Sequence, residues 1–174
     1  MPNYDETLRY EIFVKGEYAC AKQAIQQADL IFDIGGHLGY FSERCRSLGS
    51  EAEIHYFEPL PFLYEEAKKR LDSDPKISFH NFGIGAKDEE IRFFINEEKS
   101  MQSSRYPSFL NKRGKEVKVK IKKLGNIFPN VSRKDGSVNR PNTTETPHIL
   151  LKLDIEGMEY EVLESRSDDI WNNI

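Results

Sequence analysis

The chain has 174 residues, enough for one domain with a sizeable core and too few for two independent ones. Its 25 Lys and Arg against 29 Asp and Glu give a net charge of −4, which excludes a whole-molecule field drawing in nucleic acid or anionic lipid. A hydrophobic fraction of 38% excludes wholesale disorder, and a mean hydropathy of −0.65 fits a wet, charged exterior.

No apolar run reaches the ~20 residues of a membrane span, and Met1 to Glu6 lacks the basic-then-apolar order of a secretory signal. The expectation is a cytoplasmic chain with no membrane span. Cys20 and Cys45 stand outside any C-x-x-C or Cys/His cluster, so they specify neither a zinc site nor a disulfide framework.

In chain order, Tyr4 to Ala28 spaces Leu8, Ile12, Cys20, Ala24 and Ile25 like two short helices broken at Gly16. Residues 1–28 are therefore read as a helical segment ahead of a main domain over 29–174. Asp29 to Ile34 is a short apolar run ending in Gly35-Gly36-His37-Leu38-Gly39, the pattern of a doubly buried strand breaking into a tight turn. Tyr40 to Leu48 then predicts a helix. Ile54 to Phe57 repeats the strand pattern, ends at Glu58-Pro59, and precedes a helix from Pro61 through Leu71, proline being favoured in a first helical turn. Ile77 to Phe82 alternates as a third strand, Gly83, Gly85 and Lys87-Asp88 supply turn chemistry, and Ile91 to Ile95 is strand-like. Val117 to Lys122 alternates strictly, marking a strand with one apolar and one solvated face. Pro129 to Pro147 reads as loop. Ile149 to Leu153 is again a buried strand, followed by a helix from Met158 to about Glu164.

Alternating strands and helices imply an α/β fold, a doubly wound Rossmann-like sheet with helices on both faces, which binds ligands at the carboxyl ends of its strands. The suggestive residues all follow predicted strands, so one crevice can collect Asp33 to Gly39, Glu58, the Asn81-Phe82-Gly83 corner and Asp154 to Gly157. The glycines of the first turn let a ligand approach main-chain amides at a helix start, while neither G-x-G-x-x-G nor a phosphate-loop Lys-Ser/Thr is present. An acid at Asp33 would repel a pyrophosphate, which favours S-adenosylmethionine over NAD. Glu58, at the end of the second strand, is placed to accept from both hydroxyls of a ribose. Asp154 and Glu156 fall beside the expected reacting group, where a carboxylate can take the proton of an attacking hydroxyl. Candidate cofactor-binding residues are thus Asp33, Gly35, Gly36, His37, Gly39, Glu58, Phe82 and Gly83, and candidate catalytic residues Asp154 and Glu156. Those two carboxylates have no evident third ligand, so no metal site is assigned.

With these residues in hand, the chain resembles the FkbM methyltransferase family. Asp33 to Gly39 is similar to its D-x-G-A-N-x-G, with Gly36-His37 where Ala-Asn is usual, and Tyr56 to Pro61 is similar to its F-E-P-x-P. Phe79 to Asp88 resembles its third-strand block, and Leu151 to Leu163 its K-x-D-x-E-G-x-E-x-x-V-L. The resemblance implies an S-adenosylmethionine-dependent O-methyltransferase, with Asp33 to Gly39 holding the methionine end of the cofactor and Glu58 its ribose. It implies a hydroxyl on a small molecule or saccharide as acceptor and no nucleic-acid partner. Gly125 stands where the family usually has an aspartate. The sequence given ends about one helix after the fourth principal strand, so the last strands of a full sheet of this type are expected to be missing. An exposed sheet edge then invites a homo-oligomer. The rival expectations are a non-catalytic methyltransferase-like interaction module and, more remotely, an NAD-dependent oxidoreductase.

Overall fold

The computed structural model describes residues 4–96, 103–104, 114–131, 147–155 and 157–165. Four strands, β1 (Leu30–Ile34), β2 (Glu53–Phe57), β3 (Ile77–His80) and β8 (Ile149–Leu153), form a parallel sheet in the order β3-β2-β1-β8. Parallel strands need crossovers that cover both faces, which is why β1 is buried at every residue and its sequence does not alternate.

One face packs on helices α2 (Lys22–Gln27), α3 (Tyr40–Ser47) and α4 (Pro61–Leu71), with Ile31, Ile54 and Tyr56 meeting Ile25, Phe41, Cys45, Ala67 and Leu71. The other face sets Leu30, Phe32, Ile34 and Phe57 against Leu124, Ile127 and Val162 of α5 (Leu124–Val131) and α6 (Glu159–Glu164). The expected doubly wound arrangement is therefore present. Each fully buried Phe or Ile in these layers is worth about 1.5–3 kcal/mol in transfer free energy.

Entry into β8 is pinned from far along the chain. The Asp29 carboxylate accepts from the His148 N–H at 2.9 Å, and the Asp29 N–H donates to the His148 carbonyl at 2.8 Å. This places Lys152 beside Asp33, and Asp33 beside Tyr56.

A second sheet runs β4-β7-β5-β6, from β4 (Gly83–Gly85), β5 (Glu89–Asn96), β6 (Ser103–Ser104) and β7 (Gly114–Lys123). Its β7 bears out the alternation, with Val119 and Ile121 buried and Lys118, Lys120 and Lys122 exposed. Two expectations are corrected. Gly83 to Gly85, read as a turn, is a strand parallel to β7, because a residue without a side chain leaves room for Ile121: a Cβ on Gly83 would lie 2.6 Å from its Cδ1. The first residues of the expected loop, from Pro129 to Val131, belong to helix α5, whose entry Asp88 holds by accepting from the Lys123 N–H at 2.6 Å and the Asn126 side-chain amide at 3.0 Å.

On the face bearing Phe57, the His55 and His80 rings stack at 5.3 Å with Nδ1 and Nε2 3.0 Å apart, which requires one donor and one acceptor. Burial, then the neighbouring His80, lowers His55 from 6.5 to about 4; burial, then Lys122, lowers His80. The unfolded chain takes up these protons below pH 6.5 while the folded chain resists, so stability complete above 6.5 is lost as pH falls toward 4. Urea unfolding at pH 7.5 and pH 5 is expected to show a drop that shrinks in the His55→Phe/His80→Phe variant. An equal drop in both would exclude the pair as its source.

Candidate functional site

β1 delivers the chain into the turn from Gly35 to Gly39, whose shape is dictated by close approach. Gly35 has φ +74°, and a Cβ there would collide with the Asp154 carbonyl; a Cβ on Gly36 would enter the Tyr56 ring. Gly39 lets α3 close on Leu71 and Ala67 of α4. Gly35, Gly36 and His37 line a cleft at the carboxyl ends of the strands.

The amides of this turn do not behave as expected from the sequence. The Gly35 and Gly36 N–H groups donate to the Phe57 carbonyl at 3.0 and 2.9 Å, and the Gly39 N–H to the Gly36 carbonyl at 2.8 Å. The His37 N–H donates to Glu58 Oε2 at 3.0 Å. The turn thus uses its donors to fasten itself to the end of β2, and what it offers a ligand is shape rather than a nest of amides. Tyr56 adds a clasp by donating its hydroxyl to the His37 carbonyl. Burial, then Lys152, lowers His37 to about 4, so its ring is neutral at physiological pH.

Glu58 is 4% exposed and lines the same cleft. Oε2 takes the His37 N–H and Oε1 the Leu60 N–H at 2.9 Å, which leaves each oxygen a lone-pair direction. Burial raises its carboxyl to about 7 against the opposing pull of those amides. The Asn81 amide donates to the Glu58 carbonyl at 2.9 Å and steadies the corner.

Asp33 is fully buried and lies beneath the cleft instead of facing it. Its Oδ2 accepts from the Ser42 hydroxyl at 2.7 Å, and its Oδ1 lies 3.3 Å from the Lys152 ammonium. The charge that the sequence reading gave to a ligand is therefore opposed inside the protein. Lys152 also donates to the Gly35 carbonyl at 2.6 Å and lies 3.7 Å from Asp154.

Asp154 follows β8, its N–H held by the Ile34 carbonyl at 3.1 Å, and its side chain is 67% exposed at the cleft. Glu156 lies outside the described residues. Glu159 accepts from the Ile155 N–H at 2.8 Å and the Gly157 N–H at 3.3 Å; burial opposes its ionisation, but its own backbone N–H and those two donors prevail and lower its carboxyl.

Gly83 lines the cleft, whereas the Phe82 ring packs outside it, 5.6 Å from Phe57 and 4.1 Å from the Lys122 ammonium. The apolar wall includes Leu60, Leu63, Ile84, Phe93, Ile121 and Met158. The remaining wall comes from the N-terminal segment: α1 (Tyr4–Tyr10) and the π-helical turn Glu11–Lys15 bring Leu8 and Ile12, and Glu17 and Tyr18 follow. Tyr40 holds that segment down, donating to Asp5 at 2.6 Å with the Arg70 guanidinium 4.2 Å over its ring. The enclosed volume is about 160 Å³, below the roughly 300 Å³ at which small-molecule sites begin, so a nucleoside-sized ligand is enclosed only in part.

Sequence reasoning missed Lys152, Ser42, Tyr56 and the N-terminal wall. The available signal was Lys152 itself, a charge inside an otherwise apolar strand.

Methyltransferase 1 of Beauveria bassiana (strain ARSEF 2860) is 24% identical over 97% of this chain and 70% of its own length. Methyltransferase sdnD of Sordaria araneosa is 27% identical over 92% of this chain and 68% of its own. A crystal structure of Methyltransferase FkbM from Methylobacillus flagellatus KT aligns with a TM-score of 0.47 at 14% identity, covering 80% of this chain and 29% of that one. Residues 33–174 match the Methyltransferase FkbM domain. The match takes in the glycine turn, Glu58 and the β8 block, and the chain belongs to the FkbM methyltransferase family.

Proposed function

We propose that the chain binds S-adenosylmethionine in this cleft and methylates a hydroxyl on a small molecule or saccharide. The observation that carries the reading is Glu58. A carboxylate fixed by one amide on each oxygen, with a lone-pair direction left on each and the cleft beside it, suits the paired hydroxyls of a ribose. The surroundings agree: Leu60 and Ile84 offer apolar contact to a base, and Gly35 and Gly36 line the cleft beside them.

When bound, S-adenosylmethionine supplies a methyl group on a sulfonium, ready for transfer to oxygen. The chain's own residues then have to orient an acceptor and take its proton. Asp154 is an exposed carboxylate that lines the cleft and is tethered through its backbone to β1, which suits it to that task. Positioning carries most of the rate, and a proton acceptor adds about 10²–10⁴-fold.

Calorimetric titration with S-adenosylhomocysteine is expected to show binding that Glu58→Ala weakens about 10- to 100-fold, the range for hydrogen bonds to a charged group. No binding by folded wild type would refute the reading. Because a ribose donates to the ionised form of Glu58, affinity is expected to fall as pH drops below about 7, by up to about tenfold per pH unit, and Glu58→Gln should flatten that profile. Asp154→Ala is expected to cut methyl transfer about 100-fold while leaving S-adenosylhomocysteine affinity in place. Full turnover in that variant would remove Asp154 from proton transfer.

A further inference from the structure

Among the described residues, the cleft is lined by one cation, partly buried, whose bonding is incomplete. Lys152 Nζ has three N–H groups and, among the described residues, makes one hydrogen bond, to the Gly35 carbonyl at 2.6 Å. Its contact with Asp33 Oδ1 at 3.3 Å is a charge contact without hydrogen-bond alignment, since that oxygen is buried with no hydrogen-bond donor. Asp154, at 3.7 Å, lies beyond hydrogen-bond reach. The side chain is 12% exposed, and the opening is toward the cleft it lines. A buried ammonium with unspent donors is costly unless a further acceptor completes it.

The surroundings select that acceptor. Among the described residues lining the cleft, Lys152 is the one cation, His37 being neutral at physiological pH. The amides of Gly35, Gly36, His37 and Gly39, the usual alternative partners for an anion, all donate within the protein. Glu17 faces the same space and suits a positive group of a ligand. A group that is cationic overall yet carries one anion matches this arrangement, and the amino-acid end of S-adenosylmethionine is such a group.

Resting on the cofactor reading above, we infer that Lys152 is the cleft's carboxylate anchor: its ammonium pairs with the α-carboxylate of the cofactor's amino-acid end. Asp33 acts through it as a positioning residue. Asp33 stands beside Lys152 in the strand register and is held by Ser42, so the ammonium is kept at the turn.

The test compares S-adenosylhomocysteine with S-adenosyl-3-thiopropylamine, which differs from it by the missing carboxylate, in calorimetric titrations. Wild type is expected to prefer S-adenosylhomocysteine about 10- to 100-fold, and Lys152→Met to abolish the preference by weakening that ligand alone. Since the single variant leaves Asp33 buried without its partner, the Asp33→Asn/Lys152→Met variant is measured beside it, with thermal melts confirming the fold, and is expected to show the same lost preference. Equal loss of both ligands in either folded variant, or a wild type indifferent to the carboxylate, would overturn the anchor and leave the cofactor reading standing. A folded wild type that binds neither ligand would overturn both.

Discussion

The arrangement of the cleft depends on a buried ion pair across two adjacent strands. Asp33 on β1 and Lys152 on β8 are register partners, and Tyr56 on β2 and Phe79 on β3 extend the same row. Opposite charges side by side in a parallel sheet are expensive to desolvate, and their attraction offsets that cost only when the remaining valences are met. Here Ser42 satisfies one Asp33 oxygen and the Gly35 carbonyl satisfies one Lys152 donor. Apolar side chains of similar volume would serve stability as well. What the charged pair adds is position. It ties the glycine turn after β1 to the strand that carries Asp154, two places far apart in sequence that must meet at one cleft.

The second constraint is how the turn's hydrogen bonds are distributed. Glycine-rich turns at helix starts commonly offer their amides to an anion. In this chain Phe57, Gly36 and Glu58 take the amides of Gly35, Gly36, His37 and Gly39, and the result is a turn fixed to β2 rather than one waiting for a ligand to order it. Glu58 is central to that exchange. It accepts from the turn on one oxygen and from the start of α4 on the other, so its carboxylate reaches the cleft already oriented. Binding to such a group avoids the cost of ordering it, which is the physical meaning of preorganisation.

Much of the sheet was legible because its cause is local. The apolar runs at Leu30 to Ile34 and Ile149 to Leu153, the proline opening α4, and the Lys/Val alternation of β7 each state their environment within a few residues. The strand at Gly83 to Gly85 was not legible, since two glycines in three residues signal a turn unless a partner side chain, here Ile121, needs the vacant space. Helix α5 was hidden by Gly125 and Pro129, and its stripe of Leu124 and Ile127 becomes apparent only beside the face it covers. At the site, residue types and their places after strands led to Glu58, Gly83 and Asp154 at the cleft. The same reasoning did not find Lys152 beside Asp33, because which residue faces a carboxylate depends on which strand lies next to it, and strand order is a long-range property.

The N-terminal segment shows the same dependence in another form. Its helical spacing was readable, yet nothing in Tyr4 to Ala28 announces that it forms a wall of the cleft. It is attached largely through charge and aromatic contacts: Asp5 takes the Tyr40 hydroxyl, Arg70 lies over the Tyr40 ring, and Arg9 lies 5.1 Å from the Phe13 centroid and 3.4 Å from Glu43. Arg9 is half exposed, and such contacts are individually worth about 0–1 kcal/mol and are screened by salt. The apolar part of the attachment is Ile12, buried among Leu38, Tyr40 and Leu63, with Leu8, Phe13 and Tyr18 packed against the same cluster. The cleft is therefore built from parts of unequal firmness. Its floor and polar groups are set by strand register and buried hydrogen bonds, while the wall bearing Leu8, Ile12 and Tyr18 is held by fewer and weaker contacts. Local opening draws on the less firmly packed parts of a structure. Access to the cleft is thus cheapest on the side of the N-terminal segment.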